Sequence, residues 1–215
     1  MNRYITRSIT KNQNNITKNQ NNITKNGYHI YKNILEIDDN IIPLLQKQIN
    51  SKTGGPIFNG AKNDKKRIQS NVNRNNSTVN NFFHKVENTI YKLLPKDSPL
   101  YFSNWVILKS IPGCSSQKPH VDYDPNSINH FYYDEKYFPL LVLVSLMSET
   151  YLDIWDIYGK HQKLTLDKGD VLIFRADMIH AGSSYVNENI RIHSYLDSPL
   201  VKRITNRTWF VKSNE

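Results

Sequence analysis

Two imidazoles and one carboxylate stand where they can converge: His120 and Asp122 in the run Pro119-His120-Val121-Asp122, and His180 in Ala176-Asp177-Met178-Ile179-His180-Ala181-Gly182. Such a set holds one face of a divalent metal and leaves the opposite positions open. His-x-Asp is weak evidence by itself. Seven histidines among 215 residues give about 0.4 such triplets by chance. Context adds weight. On a strand, residues i and i+2 point the same way, so His120 and Asp122 face one side together. Pro119 and Pro125 put the pair at a strand end, where a site can open. The bland alternatives are a surface histidine beside a turn aspartate, and for His180 a core histidine with satisfied nitrogens. After His180, the pair Ala181-Gly182 allows close backbone approach.

Arg191 follows His180 by eleven positions, on the next expected strand, among Ile190, Ile192 and Leu196. An arginine among core residues needs a partner. Its planar fork suits two-point capture of a carboxylate. Alternation puts His193 and Tyr195 on the same strand face as Arg191. The plain alternative for Arg191 is an exposed strand residue paired with an acid.

The ordered set of Pro-His-Val-Asp, His180 sixty residues after His120, and Arg191 eleven residues later resembles the 2-oxoglutarate/Fe(II)-dependent dioxygenases. The turn Lys168-Gly169-Asp170 and the strand Val171–Phe174 before His180 are similar to the penultimate core strands of that family. The resemblance runs over about residues 101–196. It implies a double-stranded β-helix, with His120, Asp122 and His180 as catalytic ligands of Fe(II). It also implies Arg191 on the distal carboxylate of 2-oxoglutarate. His193 falls where several relatives carry a small hydroxyl residue, and it is assigned with Arg191 to co-substrate binding. The implied chemistry consumes O2 and 2-oxoglutarate, releases succinate and CO2, and hydroxylates a C–H bond, with ascorbate as a supporting reductant. Many prolyl hydroxylases of the family use Lys where this chain has Arg191. Base-demethylating relatives carry a second Arg six residues beyond the first, where this chain has Asp197. Asp122 sets the chain apart from halogenating relatives, which lack the carboxylate. Three other readings stay open: a nucleic-acid base dioxygenase, a degenerate cupin-like binding or structural module, and a hydrolytic Zn(II) site.

The elements that must position these residues change character along the chain. Residues 1–27 repeat Ile-Thr-Lys-Asn-Gln-Asn-Asn, with one apolar residue per repeat where a heptad seam needs two. They read as a disordered basic tail. Residues 28–99 read as helical support. A first helix lies within residues 34–50 and a second spans Thr78–Leu94, whose Val79, Phe82, Phe83, Val86, Ile90, Leu93 and Leu94 share a face. Between them, residues 51–77 read as a solvated polar loop. From residue 100 the pattern is short strands: Tyr101–Ser110, the doubly apolar Phe138–Met147, Tyr151–Tyr158, a hairpin through Lys168-Gly169-Asp170, Ile190–Leu196 and Thr208–Val211. Residues 123–137, rich in tyrosine, read as a long loop, with Phe131, Tyr132 and Tyr133 as a lid. Helices followed by strands indicate an α+β chain: a jelly-roll, cupin-like double-stranded β-helix over residues 100–215 flanked by N-terminal helices.

Composition bounds the partners. The net charge is +9, but it is uneven: +6 over residues 1–33, +3 over 34–77, −3 over 78–200 and +3 over 201–215. The segment with the metal-ligand set is acidic, and a duplex-tracking groove needs clustered positive charge. A small molecule or a protein side chain is therefore the expected substrate. Nucleic acid contact through the basic tail, the 62–67 loop and Lys202, Arg203 and Arg207 is the less favoured alternative. One cysteine, Cys114, excludes an internal disulfide. With no apolar run of membrane-spanning length and no hydrophobic leader, the expected setting is the cytoplasm, away from membranes.

Overall fold

The computed structural model describes residues 23, 25–49, 55–56, 66–128, 135–205 and 207–211. Helices are α1 (Ile41–Ile49), α2 (Ser77–Tyr91) and α3 (Pro125–Ile128). Strands are β1 (Tyr28–Tyr31), β2 (Gly55–Pro56), β3 (Arg67–Asn71), β4 (Tyr101–Phe102), β5 (Val106–Ser110), β6 (His120–Val121), β7 (Leu140–Ser145), β8 (Thr150–Trp155), β9 (His161–Leu166), β10 (Val171–Arg175), β11 (His180–Gly182), β12 (Asn189–Asp197) and β13 (Trp209–Phe210). They form a major sheet in the order β1-β10-β7-β12-β5-β3-β2, with β4 also on β12, and a minor sheet in the order β13-β6-β11-β8-β9. The pairings between described strands are antiparallel. This is the expected α+β double-stranded β-helix with N-terminal helices.

The layering follows from alternation on the central strands. In β7, Val142 and Val144 turn to the helices, whereas Leu141 and Leu143 turn to the minor sheet. β7 is therefore apolar on both faces, as its unbroken hydrophobic run predicts. α2 completes the outer core with Val79, Phe82, Phe83, Val86 and Ile90. Each such side chain contributes about 1.5–3 kcal/mol on burial. The helix starts at Asn76, whose side chain accepts the Val79 N–H. The inner core joins Leu141, Leu143, Leu172 and Phe174 to Leu152, Ile154, Leu164 and Leu166 of the minor sheet.

Several elements depart from expectation. Residues 67–71, read as part of a polar loop, are strand β3, paired with β5 in the major sheet. Its sequence, Arg-Ile-Gln-Ser-Asn, lacks apolar alternation. Arg67 is nevertheless 1% exposed, because its guanidinium donates to the Ser115 carbonyl at 2.9 Å, the Gly182 carbonyl at 3.1 Å and the Ser183 carbonyl. Residues 57–65 lie outside the described residues. β1 also comes from the segment expected as helical support, and it joins the major sheet through β10. Ile23, read as tail, packs against the core, and the Gly27 N–H donates to its carbonyl at 2.8 Å. Residues 1–22 are not described. The strand expected over 101–110 is broken at residues 103–105, where Trp105 is buried against Phe83. The loop expected over 123–137 opens with α3, begun by Asp124 accepting the Asn126 N–H at 3.0 Å and by Pro125 at the first helical position. The residues read as a lid lie outside the described residues.

The Lys168-Gly169-Asp170 turn shows how the N-terminal segment is fastened. Gly169 has φ +89°, and a Cβ there would lie 2.3 Å from the Leu35 carbonyl oxygen. Asp170 accepts from Lys32 Nζ at 2.7 Å and from the Asn33 and Asp167 backbone N–H groups, each at 2.8 Å. Burial pushes this carboxyl up, but Lys32 and the two amides outweigh it and hold it below its ordinary 3.8. A carboxyl so depressed contributes stability that is present above about 3.8 and lost as pH falls through the lower folded value. Asp170→Ala is expected to cost about 2–4 kcal/mol at pH 7, with the gap to wild type closing on acidification. Denaturant unfolding across that pH range measures it, and equal stability at pH 7 would show that the fastening is without consequence.

Candidate metal centre and co-substrate cavity

His120 and His180 occupy neighbouring strands of the minor sheet, directly paired in the β6–β11 register. Asp122 follows β6 by one residue. All three are buried, and one ligand atom from each lies within 4.8 Å of the others. His120 Nε2 is 3.8 Å from Asp122 Oδ1, and His180 Nε2 is 3.6 Å from Asp122 Oδ2. The His120 ring nitrogen Nδ1 donates to the Lys118 carbonyl at 2.7 Å, and that of His180 donates to the Met178 carbonyl at 3.0 Å. A carbonyl only accepts, so each Nδ1 carries the hydrogen and each Nε2 presents its lone pair to the common point. The donor set thus fits a divalent cation.

The electrostatics agree with that arrangement. Burial, then the neighbouring His180, draw His120 down to about 4, so it is a neutral donor. Burial works against protonation of His180, but the Asp122 carboxylate outweighs it and raises the imidazole above its usual value. Burial raises Asp122, yet the two facing histidines hold it well below the carboxylate range. A buried carboxylate facing two imidazoles makes this point favourable for positive charge.

A cavity of about 340 Å³ opens from this point between the sheets. Arg191, His193 and Tyr195 of β12 all line it, as their alternation predicts. Arg191 is 3% exposed, donates through Nη1 to Ser110 Oγ at 3.0 Å and lies 5.1 Å from the centroid of the Tyr185 ring. Tyr185 is itself locked, since it donates to the Tyr151 carbonyl at 2.9 Å and accepts the Tyr151 N–H at 2.7 Å. The guanidinium is therefore held in place before any ligand arrives. Burial draws His193 down to about 4, leaving a neutral ring between Arg191 and Tyr195. Arg191 and Tyr195 are four residues apart, roughly 13 Å along the strand.

Some lining residues had no mark in the sequence. Tyr195 donates to Asp122 Oδ2 at 3.0 Å. Alternation put Tyr195 on the right face without indicating this bond. Gln117 accepts the Gly182 N–H at 2.9 Å, and a Cβ on Gly182 would lie 2.6 Å from the Gln117 oxygen. The close approach expected at Ala181-Gly182 is thus used to tie β11 to the segment before His120. Arg203, counted as a candidate polyanion contact, pairs with Asp197 at 3.0 Å and stacks 3.7 Å from the Tyr195 ring centroid. Gln69 and Asn71 enter the cavity from β3, where the register sets them opposite Leu108 and Val106. The C-terminal strand β13 pairs with β6, with Phe210 opposite His120, and Thr205, Arg207 and Thr208 complete the wall.

No protein-family model matches the sequence, and no curated protein matches it. Solved structures do. A prolyl-4-hydroxylase of Pseudomonas putida superposes with a TM-score of 0.65 at 9% identity, over 85% of this chain and 98% of that one. The non-haem α-ketoglutarate-dependent epimerase SnoN of nogalamycin biosynthesis gives 0.65 at 13% identity, over 86% and 82%. A prolyl hydroxylase from Trichoplax adhaerens, in complex with a peptide of hypoxia inducible factor, gives 0.64 at 13% identity, over 88% and 92%. The chain thus has the double-stranded β-helix fold of the 2-oxoglutarate- and Fe(II)-dependent oxygenases, with two histidines and an aspartate gathered at a metal-sized point within it.

Proposed function

We propose that this protein is an Fe(II)- and 2-oxoglutarate-dependent dioxygenase that hydroxylates a C–H bond of a small polar molecule or a protein side chain. The observation that carries the reading is the convergence of the His120, Asp122 and His180 donors and the preset Arg191 guanidinium on one cavity. Bound Fe(II) would supply O2 activation coupled to conversion of 2-oxoglutarate to succinate and CO2, with ascorbate as a supporting reductant. The chain's own residues do the rest. His120, Asp122 and His180 hold the cation. Arg191, braced by Ser110 and Tyr185, takes the distal carboxylate of the co-substrate through charge-assisted hydrogen bonds. The neutral His193 lies beside it and offers a ring nitrogen without adding charge. Phe174, Leu143 and Leu152 give the same cavity part of its apolar wall.

The remaining wall bears on the substrate. The amide side chains of Gln69, Asn71 and Asn104 line the cavity together with Val106 and Leu108. A substrate with several hydrogen-bonding groups fits that wall, and an extended hydrocarbon does not. The base-oxidising alternative draws on the basic net charge and on Arg207, which lies 5.3 Å from the Trp209 ring centroid. Two cations counted for it are committed elsewhere, Arg203 to Asp197 and Arg67 to backbone carbonyls.

The test is anaerobic loading with Fe(II), addition of O2, ascorbate and 2-oxoglutarate, and measurement of succinate with pooled polar metabolites, peptides and methylated oligonucleotides. Succinate formation stimulated by a polar metabolite or a peptide is expected. Dependence on oligonucleotides, together with salt-sensitive binding to them, would promote the alternative. Absence of any 2-oxoglutarate binding by the metal-loaded protein would reject the proposal.

A further inference from the structure

The hydrogen bond from Tyr195 to Asp122 sits within a fixed network that the dioxygenase reading leaves without a task. The Tyr195 hydroxyl donates to Oδ2 of Asp122 at 3.0 Å. Its ring is held on one face by the Arg203 guanidinium, 3.7 Å from the centroid. His193 meets it edge-on, with centroids 4.7 Å apart and planes at 87°. Tyr123 approaches at 6.0 Å. Arg203 is anchored in turn, with Nε 3.0 Å from Asp197 Oδ1, Nη2 3.3 Å from Asp197 Oδ2, and Nη2 3.3 Å from Ser103 Oγ. The Tyr123 hydroxyl also donates to Asp197. The phenol is therefore aimed at one oxygen of the carboxylate by neighbours on several sides, and swinging away would forfeit its stacking on the anchored Arg203 guanidinium.

A carboxylate can meet a metal through one oxygen or two, and the second mode uses up a coordination position. We propose that Tyr195 is a positioning residue for the metal centre: its hydroxyl occupies Asp122 Oδ2, so that Asp122 ligates through Oδ1 alone and a position stays open for the co-substrate. Each oxygen faces one histidine, Oδ1 3.8 Å from His120 Nε2 and Oδ2 3.6 Å from His180 Nε2, and Oδ2 alone carries the phenol's hydrogen bond. The cation on the ring draws electron density from the phenol and strengthens its O–H as a donor. Partners one step behind the ligands commonly tune a metal site in this way. The inference rests on the metal-centre reading and extends it to a residue that touches neither co-substrate nor substrate in this role.

The test uses the full chain loaded with Co(II), whose visible spectrum reports coordination number and needs no turnover. Tyr195→Phe removes only the hydroxyl. The expected result is a changed Co(II) spectrum and 2-oxoglutarate binding weakened about tenfold, with Co(II) affinity held within about threefold. Metal-free thermal unfolding should stay close to wild type. A second variant carries a fluorinated tyrosine at position 195, which keeps ring and hydroxyl but makes a stronger donor. It should retain 2-oxoglutarate binding and shift the Co(II) bands opposite to Tyr195→Phe, and it serves alone if the Phe variant does not fold. Spectra and 2-oxoglutarate affinities equal to wild type in the variants overturn the inference. Wild-type protein that takes up no Co(II) overturns this inference and the metal-centre reading together. Wild type that binds Co(II) but no 2-oxoglutarate overturns the dioxygenase reading, and the Co(II) spectra then decide this one.

Discussion

Alanine at His120, Asp122 or His180 is expected to abolish succinate formation and to weaken Fe(II) binding by at least about 100-fold, beyond the 10–100-fold typical of residues one step behind a ligand. Each replacement removes one of the three donors that the described residues bring to the cluster. The remaining pair cannot enclose a face of the cation. The fold should survive, because β6 and β11 are short strands and the histidine side chains bond locally, to carbonyls two residues away. Losing one such bond costs about 0.5–1.5 kcal/mol, small against the stability of a domain this size. Metal content by elemental analysis, succinate by chromatography and thermal unfolding of the metal-free proteins separate these effects. Turnover at the wild-type level in a His120→Ala, Asp122→Ala double variant would remove the cluster from the chemistry.

What the sequence made legible follows the reach of its periodicities. Period-two alternation put Arg191, His193 and Tyr195 on one face of β12, and all three line the cavity. The unbroken apolar run at Phe138–Met147 indicated a strand covered on both sides, and β7 contacts both cores. Three- and four-residue spacing located α2 to within a few residues at its ends. Where burial rests on polar bonds instead, periodicity has nothing to detect. β3 carries Arg, Gln, Ser and Asn and looks like loop, yet Arg67 is satisfied by carbonyls from two distant segments. Likewise, net charge counts Arg203 as a free cation, whereas Asp197, six residues earlier, neutralises it and Tyr195 shields it. The Asp197 that marked a missing second arginine is thus the anchor of an arginine arriving from the C-terminal segment. Pairings set by tertiary closure, such as Phe210 opposite His120, have no local trace at all.

Arg191→Lys is expected to weaken 2-oxoglutarate binding by about 10–100-fold while leaving metal affinity within about threefold of wild type. The charge survives the change; the fork does not. Arg191 already uses Nη1 on Ser110 Oγ, and its flat guanidinium lies against the Tyr185 ring. In the proposed role the planar fork meets a carboxylate of fixed direction. An ammonium at the end of a flexible stem has neither the planar geometry nor the bracing, so at least one charge-assisted bond is lost, worth about 1.5–3 kcal/mol. Each 1.4 kcal/mol is about a factor of ten in affinity, which sets the range. Metal binding should be spared, because His120, Asp122 and His180 lie on and beside β6 and β11 of the minor sheet, away from β12 that carries Arg191. Ser110→Ala provides a graded control: it removes the brace and keeps the fork, so the loss should run in the same direction and be smaller. Calorimetric titration of 2-oxoglutarate into Mn(II)-substituted protein reads both effects. Equal affinity in wild type and Arg191→Lys would mean that the co-substrate carboxylate is held elsewhere in the cavity. Arg203 and Arg207, the other arginines on its wall, would then be the next residues to replace.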